Sequence, residues 1–438
     1  MANKQLKMLF VPLLETGHVN ACLSIAERVI AAGHRAVFTV NDVWSGRLTH
    51  YGIEEVGMTA TALSSYRSLD KEESARQVLS SGRFSDESPL RKARQWALIA
   101  RFFTKHAQYM DEQLRRLLPA IRPDVIVLDQ FSFAVPAIEL SGVTCVWCWS
   151  ADPLLMVDDE RAPPPESGLS ATGDQSLWQE FRQLRRDVTS DGWKAFNSWV
   201  VGRGCEPLPD HCFHNPRRYL NLYGIPQELD YQVIRPLGRN YVRFDNLMRR
   251  PERHLTFAVP PALAAKPGAL VYFSLGSMCA IDVQNMRRLV AILAKSRHRF
   301  IVSMGPMHTE YTLADNMWGA EFVPQLQMLP LVDAVLTHGG PNTVNECLYF
   351  GRPMIVLPVC GDQYDYAQRL QDKGFGLRLD AHRCEEGELL SAIETVLNDR
   401  PMADRLAEVS QRIQTDNSLA KVPQIIEDFV QNPRKYID

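Results

Sequence analysis

Residues 322–363 have the sequence FVPQLQMLPLVDAVLTHGGPNTVNECLYFGRPMIVLPVCGDQ, and they carry the clearest indication of the fold. The run Asp333–Thr337 predicts a strand that delivers His338 to its carboxyl end, and two glycines and Pro341 follow. Proline is tolerated in the first turn of a helix, because its missing N–H would have no helical partner there. The run Met354–Leu357 predicts the next strand. A strand–helix–strand unit of this kind is typical of a parallel α/β sheet.

The residues between these two strands predict an anion-binding turn. The glycine pair 339–340 leads into a helix N-terminus, where main-chain N–H groups and the helix dipole favour negative charge. Asn342 and Thr343 would add side-chain donors, and His338 could donate to a phosphate. A structural alternative explains part of the pattern, since Thr343 and Glu346 match a capping box and Asn342 could be an N-cap residue. That alternative leaves the glycine pair and His338 unexplained.

Two polar residues follow the second strand of this stretch. Asp362 and Gln363 come just after its carboxyl end, at the same edge of the predicted sheet. A carboxylate and an amide there suit hydrogen bonding to sugar hydroxyls, although a surface loop would account for them almost as well.

Apolar runs alternate with helical patterns in both halves of the chain, and this alternation predicts two doubly wound α/β domains. The strand candidates are LKMLFVPLL, AVFTV, PDVIVLD and TCVWCW in the first half, and ALVYFSLGS, RFIVSMG, AEFV, DAVLTHGG, PMIVLP and GLRLD in the second. Continuous β-rich runs suit strands that are buried on both faces of a parallel sheet. Two open sheets of this kind would face each other across a ligand cleft.

The length of 438 residues favours two domains over a single core. We predict an N-terminal Rossmann-like domain over residues 1–240 and a linker over 241–268, which is rich in proline and has no clear period. A C-terminal Rossmann-like domain would span 269–415, and a final helix within 416–438 would cross back to the first domain. Residues 151–215 predict a loop followed by a helical excursion.

Composition and charge exclude some classes of partner. The net charge is −3 and there is no long basic run, which argues against nucleic acid or an anionic membrane surface. The apolar run near the N-terminus is interrupted by Glu15 and His18, unlike a signal peptide. No uninterrupted apolar stretch of about 18 residues occurs. We therefore expect a cytoplasmic protein without a membrane anchor.

The nine cysteines predict reduced thiols. Cys145 and Cys148 have redox or metal spacing, but their run, VTCVWCW, predicts a buried strand on which residues three apart point to opposite faces. No second such pair would complete a zinc site, and we expect buried structural thiols. The cysteines and histidines within residues 205–214 lack knuckle spacing, so we interpret their clustering as chance.

His18 and Asp129 are the candidate catalytic pair. His18 follows the first predicted strand and Asp129 ends the strand PDVIVLD, so both would lie at the carboxyl edge of the first sheet. A lone histidine is usually structural. At this edge, however, His18 is suited to act as a base near pH 7, and Asp129 could orient it and stabilise its charged form.

The stretch from Phe322 to Gln363 resembles the signature of the UDP-glycosyltransferases, which are inverting small-molecule transferases with the GT-B fold of two facing Rossmann-like domains. Gly17-His18 and the segment SLGSM at 274–278 match this family in the expected order. The resemblance implies that the first domain binds the acceptor and the second the UDP-sugar. It assigns stacking on uracil to Phe322, base-edge recognition to Val323, a place near the nucleoside to Gln325, the ribose hydroxyls to Glu346, the diphosphate to Ser277, His338, Gly340, Asn342 and Thr343, and the sugar to Asp362 and Gln363.

The resemblance also implies a reaction, in which His18, oriented by Asp129, deprotonates an acceptor hydroxyl that attacks the anomeric carbon. Glucose from UDP-glucose is the expected sugar. The expected acceptor is a small lipophilic hydroxylated molecule, such as a flavonoid, phenol or macrolide of detoxification or secondary metabolism. No Asp-x-Asp motif occurs, so we expect neither a metal ion nor a cofactor beyond the UDP-sugar co-substrate. Many relatives have proline where this chain has Ala21, and a local change of the backbone is expected there.

Other interpretations remain open. A sugar-nucleotide epimerase of the same fold would share the nucleotide site but need no acceptor, and a non-catalytic protein could bind the nucleotide sugar alone. The aromatic segments Phe131–Phe133, Trp147–Trp149 and Trp96–Phe103 could line an apolar acceptor pocket, or they could be buried core.

Overall fold

A computed structural model of the chain describes residues 4–59, 87–130, 133–249 and 256–437. Within these residues the strands form two sheets. The strands of the first sheet are β1 (Lys7–Val11), β2 (Arg35–Val40), β3 (Glu54–Gly57), β4 (Val125–Asp129), β5 (Thr144–Trp149), β6 (Leu220–Gly224) and β7 (Tyr241–Phe244). The strands of the second are β8 (Leu270–Ser274), β9 (Arg299–Ser303), β10 (Met317–Ala320), β11 (Ala334–Thr337), β12 (Met354–Val356) and β13 (Gly376–Arg378).

Both sheets are parallel throughout their described pairings. The first has the order β3-β2-β1-β4-β5-β6-β7 and the second the order β10-β9-β8-β11-β12-β13. The central strands β4, β8 and β11 are buried at every residue, as expected of apolar runs covered on both faces. The predicted fold of two doubly wound α/β sheets is therefore confirmed.

Helices connect these strands and cover the sheets. Those described are α1 (Thr16–Ala31), α2 (Pro89–Lys92), α3 (Trp96–Ile121), α4 (Pro136–Glu139), α5 (Gln175–Gly202), α6 (Pro261–Ala264), α7 (Gly276–Cys279), α8 (Val283–Leu293), α9 (Gln325–Met328), α10 (Pro341–Tyr349), α11 (Gln363–Lys373), α12 (Glu386–Asn398), α13 (Arg400–Thr415) and α14 (Val422–Gln431). In the described part of the chain, no helix is long and apolar enough to span a bilayer.

Two sequence-based boundaries need correction. The linker predicted over 241–268 begins on β7, which is the edge strand of the first sheet, so the first sheet extends beyond residue 240. The strand predicted at AEFV is wrong, because β10 comprises Met317–Ala320 and Phe322 lies in the loop that follows. Gly319 lies within β10, where an added Cβ would come within 2.6 Å of the carbonyl oxygen of Val302 on the neighbouring strand.

The last two helices, α13 and α14, contact the first domain. Helix α14 packs against α1, and His34 Nε2 lies 2.7 Å from Glu427 Oε1. In α13, Arg412 donates to Glu228 and Asp245, which follow the last two strands of the first sheet. These contacts join the C-terminal helices to the first sheet.

The cysteine pair predicted to be buried lies in the sheet core. Cys145 and Cys148 are both buried on β5, and neither forms a disulfide. The residues at 205–214 divide between two environments: Cys205 packs in a small apolar cluster, whereas His211 and Cys212 line a cavity.

Candidate active site

The carboxyl edge of the first sheet brings His18 and Asp129 together. Helix α1 begins at Thr16, so His18 lies in its first turn. Asp129 is the last residue of the neighbouring strand β4. His18 Nδ1 lies 2.9 Å from Asp129 Oδ2, and this distance is that of a charge-assisted hydrogen bond.

The Asp129 carboxylate is completely buried, and both of its oxygens accept hydrogen bonds. Oδ2 accepts from the N–H of Leu13 at 2.9 Å in addition to facing His18. Oδ1 accepts from the N–H of Gln130 at 2.8 Å and from the Ser150 hydroxyl at 3.3 Å. These bonds fix the carboxylate, so it can orient the imidazole in one tautomer, with the proton on Nδ1 and the lone pair on Nε2.

The surroundings of His18 raise its pKa above the usual value. Burial by itself lowers the pKa of His18, but the charge and hydrogen bond of Asp129 outweigh that effect. The charges of Asp362 and Glu15 act in the same direction as Asp129. Asp362 belongs to the second domain, so a residue predicted to bind the sugar influences the predicted base.

The glycine turn after β11 forms without a side-chain cap. Gly339 has φ +85°, which favours glycine, and Gly340 is the N-cap of α10 with no side-chain cap hydrogen bond. The alternative of an Asn342 N-cap or a Thr343–Glu346 capping box is therefore wrong. The Asn342 side chain instead donates to the carbonyl oxygen of Gly17, at 2.8 Å. This bond joins the N-terminus of α10 to the residue before His18.

His338 lies between two glycines that leave room for its ring. A Cβ added at Gly276 would lie 2.7 Å from His338 Cε1, and one added at Gly340 would lie 2.5 Å from Nε2. Burial lowers the pKa of His338 to about 4, despite a hydrogen bond to the Ser274 main chain. His338 is therefore neutral at pH 7 and would meet a phosphate as a neutral donor. Ser277, also predicted to bind the diphosphate, is exposed on the turn that begins at Gly276.

The residues predicted to bind the nucleoside surround the start of α10. Phe322 is 58% exposed in the loop after β10, whereas Val323 beside it is buried. The amide nitrogen of Gln325 donates to Thr343 Oγ1 at 3.2 Å and to Glu346 Oε2 at 2.5 Å. These contacts bring the predicted base, ribose and phosphate residues into one group.

The two residues predicted to bind the sugar differ in their surroundings. Gln363 is buried, and its side-chain oxygen accepts from the N–H groups of Val359 and Cys360 at 2.9 and 3.1 Å. The Gln363 side-chain oxygen therefore stabilises the loop between β12 and α11. Asp362 Oδ2 accepts from the N–H of Asp152, at 3.3 Å, and burial together with the charge of Asp152 raises the pKa of Asp362 to about 7.

A cavity of about 420 Å³ lies in the first domain, and its lining includes Gln130 and Trp149, the chain neighbours of Asp129 and Ser150. Its lining includes Trp96, Phe103, Phe133 and Trp149 from the aromatic segments identified in the sequence. Trp147, by contrast, is buried in the sheet core. The remaining residues of the segment 131–133 lie outside the described residues.

Ser150 is a site residue that the sequence interpretation missed. Its hydroxyl lies 3.1 Å from His18 Nδ1 and also donates to Asp129. Ser150 directly follows β5, the strand beside β4, so it occupies the same sheet edge as the catalytic pair. The position just past a predicted buried strand is the signal that could have identified it.

Known proteins are similar to parts of this chain. Residues 243–420 match the family model described as UDP-glucoronosyl and UDP-glucosyl transferase. UDP-glucuronosyltransferase 2B13 of Oryctolagus cuniculus is 28% identical over 216 residues, which are 47% of this chain and 38% of that relative. The chain spans less than half the length of the first curated relatives it matches.

Solved structures resemble the whole chain. The glycotransferase of kitacinnamycin superposes with a TM-score of 0.73 at 20% identity, covering 97% of this chain and 99% of that one. The spinosyn rhamnosyltransferase SpnG, complexed with thymidine diphosphate, superposes with a TM-score of 0.65 at 20% identity, covering 96% and 100%.

The two parallel sheets, with the predicted base at the edge of one and the glycine turn at the edge of the other, have the GT-B fold seen in solved glycosyltransferase structures. The match over residues 243–420 and the similarity to glucuronosyltransferases narrow the class of glycosyltransferase further. Residues 243–420 therefore relate the chain to the UDP-glycosyltransferase family.

Proposed function

We propose that the protein transfers glucose from UDP-glucose to a hydroxyl group of a small lipophilic acceptor, such as a flavonoid, phenol or macrolide. Transfer would invert the anomeric carbon and need no metal ion. The hydrogen bond from Asn342 to the Gly17 carbonyl oxygen carries this proposal. It joins the predicted anion-binding start of α10 to the first turn of α1, which bears His18, so a leaving diphosphate and a base would lie close to one reaction centre.

The proposed reaction is a single displacement. The acceptor hydroxyl gives its proton to His18 Nε2, and its oxygen forms a bond to the anomeric carbon. The bond from that carbon to the diphosphate oxygen breaks, and UDP leaves with the electron pair. Main-chain N–H groups at the start of α10 would stabilise its negative charge, with a neutral hydrogen bond from His338.

Acidic residues near the predicted sugar site support a neutral sugar. Burial raises the pKa of both Asp152 and Asp362, and the charges of Asp152 and Glu166 raise that of Asp362 further. A uronic acid would add another carboxylate to this group, which like-charge repulsion disfavours. The names of the mammalian relatives specify glucuronosyl transfer. We propose glucose for this chain because of its own acidic residues.

The test is UDP release from UDP-glucose or UDP-glucuronic acid, with and without a panel of hydroxylated acceptors, with products identified by mass. We expect acceptor-dependent UDP release with UDP-glucose. His18→Ala should lower the rate by about 100-fold or more, since it removes the general base. His50→Ala, at an exposed histidine of the same domain, is the matched control and should retain activity.

Each rival proposal has its own outcome in this assay. A changed sugar without any acceptor would indicate an epimerase, and tight UDP binding without turnover would indicate a binding protein. Faster turnover of UDP-glucuronic acid would contradict the proposed donor. Loss of turnover after EDTA treatment would contradict metal independence.

A further inference from the structure

Four arginines line the 420 Å³ cavity of the first domain. Arg182, Arg185 and Arg186 are spaced so that they share one face of α5. Arg217 comes from the turn before β6. Because the aromatic lining is apolar, the arginines give the cavity its charged character.

The first two arginines have partners within the protein. Arg182 Nε donates to Asp158 Oδ1 at 2.7 Å, and its Nη2 donates to two main-chain carbonyl oxygens. Arg185 lies over the ring of Trp96, with 4.1 Å from Cζ to the ring centroid, and donates to the carbonyl oxygen of Pro165. These two guanidinium groups therefore help to hold the cavity wall.

Arg186 and Arg217 differ from these two. Both are exposed, and among the described residues neither forms an ion pair or a side-chain hydrogen bond. The two lining carboxylates are associated with other groups: Asp158 with Arg182, and Asp210 with His211, whose Nε2 is 3.9 Å away. Arg186 and Arg217 are thus two exposed guanidinium groups of the lining that have no carboxylate partner among the described residues.

We propose that the acceptor is a hydroxylated aromatic carboxylate, and that Arg186 and Arg217 bind its carboxylate. This inference rests on the proposed function and specifies its acceptor. Guanidinium groups match carboxylates in geometry and form strong charge-assisted hydrogen bonds. The rings of Trp96, Phe103 and Phe133 would contact the aromatic body of the acceptor.

The cavity also lies near the predicted base. Its lining includes Gln130 and Trp149, the chain neighbours of Asp129 and Ser150. An acceptor held by its carboxylate at the arginines would direct a hydroxyl, and not the acid, toward His18. The product would then be a glucoside of the hydroxyl and would resist mild alkali, unlike a glucose ester.

The experiment compares 4-hydroxycinnamic acid with its methyl ester, which keeps the phenol and the ring but lacks the charge. Binding of each is measured through quenching of tryptophan fluorescence without donor, and transfer is measured with UDP-glucose. Arg186→Gln and Arg217→Gln are the test variants. Lys194→Gln removes the same charge from an exposed position of α5 that does not line the cavity.

We expect the wild-type protein to bind the acid at least ~10-fold more tightly than the ester. Each arginine variant should weaken binding of the acid by about 10-fold, in line with the loss of a charge-assisted hydrogen bond. Binding of the ester should stay unchanged in these variants, and Lys194→Gln should behave as the wild type. Arg186→Lys should retain part of the preference for the acid over the ester, since lysine keeps the charge but lacks the planar guanidinium group that can form two parallel hydrogen bonds to a carboxylate.

Failure of this inference can be told apart from failure of the proposed function. Equal or absent binding of acid and ester would overturn the carboxylate site, even if transfer to neutral phenols proceeds. A glucose ester as the product would also overturn it, because the carboxylate would then lie at the base. Arginine-dependent binding of the acid without any transfer would support the site and contradict the transferase.

Discussion

The imidazole of His18 combines two properties that a general base needs. Asp129 and Ser150 both contact Nδ1, which sets the orientation of the ring. The buried carboxylate also favours the charged imidazolium that forms when the base accepts a proton. Burial lowers the pKa of His18, but the charge and hydrogen bond of Asp129, with the charges of Asp362 and Glu15, raise it above the usual value, which makes His18 a stronger base than a free histidine.

The raised pKa of His18 predicts the acidic limb of the pH profile. A base acts in its deprotonated form, so kcat/KM should fall as the pH drops through a pKa above about 6.5, the value of free histidine. Asp129→Asn removes the charge that raises this pKa. The limb should therefore move to lower pH, while kcat at pH 8 falls by about 100-fold or more because the ring loses its orientation. The measurement is kcat/KM between pH 5 and 9 for both proteins.

Ser150→Ala serves as the comparison in the same pH series. It removes a hydroxyl that bridges Asp129 and His18 but leaves the carboxylate charge, so its limb should stay close to that of the wild type. An Asp129→Asn limb at the wild-type pH would show that Asp129 does not set the pKa of His18.

Helix α10 and the strand before it were predictable because their signals are local. A short apolar strand, the glycine pair 339–340 and Pro341 all indicate the same turn, and the structure has β11 and α10 in these places. Strands β3 and β10 are among those that were missed, because their local signals are weak. Their sequences, EEVG and MWGA, include polar or small residues with weak β preference, and they become strands by pairing with β2 and β9 at the sheet edges.

Some features of the candidate site could likewise be predicted from local sequence, and others could not. The positions of His18 and Asp129 follow from strand ends, so a single sequence could predict them. The cavity could not be predicted, because its wall combines α3, α5 and loops that are far apart in the chain. The neutral state of His338 also depends on packing against Gly276 from a distant turn.

The start of α10 supplies the prediction at the scale of one element. Gly340 has φ −61°, which any residue adopts, so Gly340→Ala adds a Cβ beside His338 without straining the backbone. Its Cβ would displace the His338 ring, and overpacking of this kind costs about 1–3 kcal/mol. We expect the Kd for UDP to rise by roughly 10-fold, measured by calorimetry. The control is Gly387→Ala in α12, where no neighbouring atom lies within 4 Å of the added Cβ.

An unchanged Kd for UDP in Gly340→Ala would show that the His338 ring has no part in nucleotide binding. A low Tm in both glycine variants would instead indicate a general effect of alanine on the fold. The pair of variants separates these explanations, because only Gly340 adjoins the predicted diphosphate site.

The whole molecule depends on how its two sheets face each other. Several hydrogen bonds cross between the halves, including those from Glu166 N and Gly168 N to the buried carboxylate of Asp365 in α11. The Asn345 side chain also donates to the carbonyl oxygen of Gly224. The predicted base and the predicted donor site belong to different sheets, so these contacts set the distance between them.

Arg412 provides the test of this arrangement. Its guanidinium donates to Glu228 at 2.7 and 2.6 Å and to Asp245 at 2.6 Å, which ties α13 to the first sheet. Arg412→Ala leaves Glu228 without this partner, and it should lower the free energy of unfolding by roughly 1–3 kcal/mol. Because the residues predicted to bind UDP lie in the second domain, the Kd for UDP should stay within about twofold of the wild type while kcat falls.

Thermal unfolding, calorimetry with UDP and steady-state kinetics together check this prediction. Arg434→Ala, at an exposed arginine beyond α14, is the charge-matched control and should change none of the three quantities. A weaker Kd for UDP in Arg412→Ala would mean that the change reaches into the second domain itself. A wild-type kcat with a lowered Tm would mean that the contact stabilises the fold without setting the cleft. The expected combination, a lower Tm and kcat with unchanged UDP affinity, follows only if α13 fixes the base relative to the bound nucleotide.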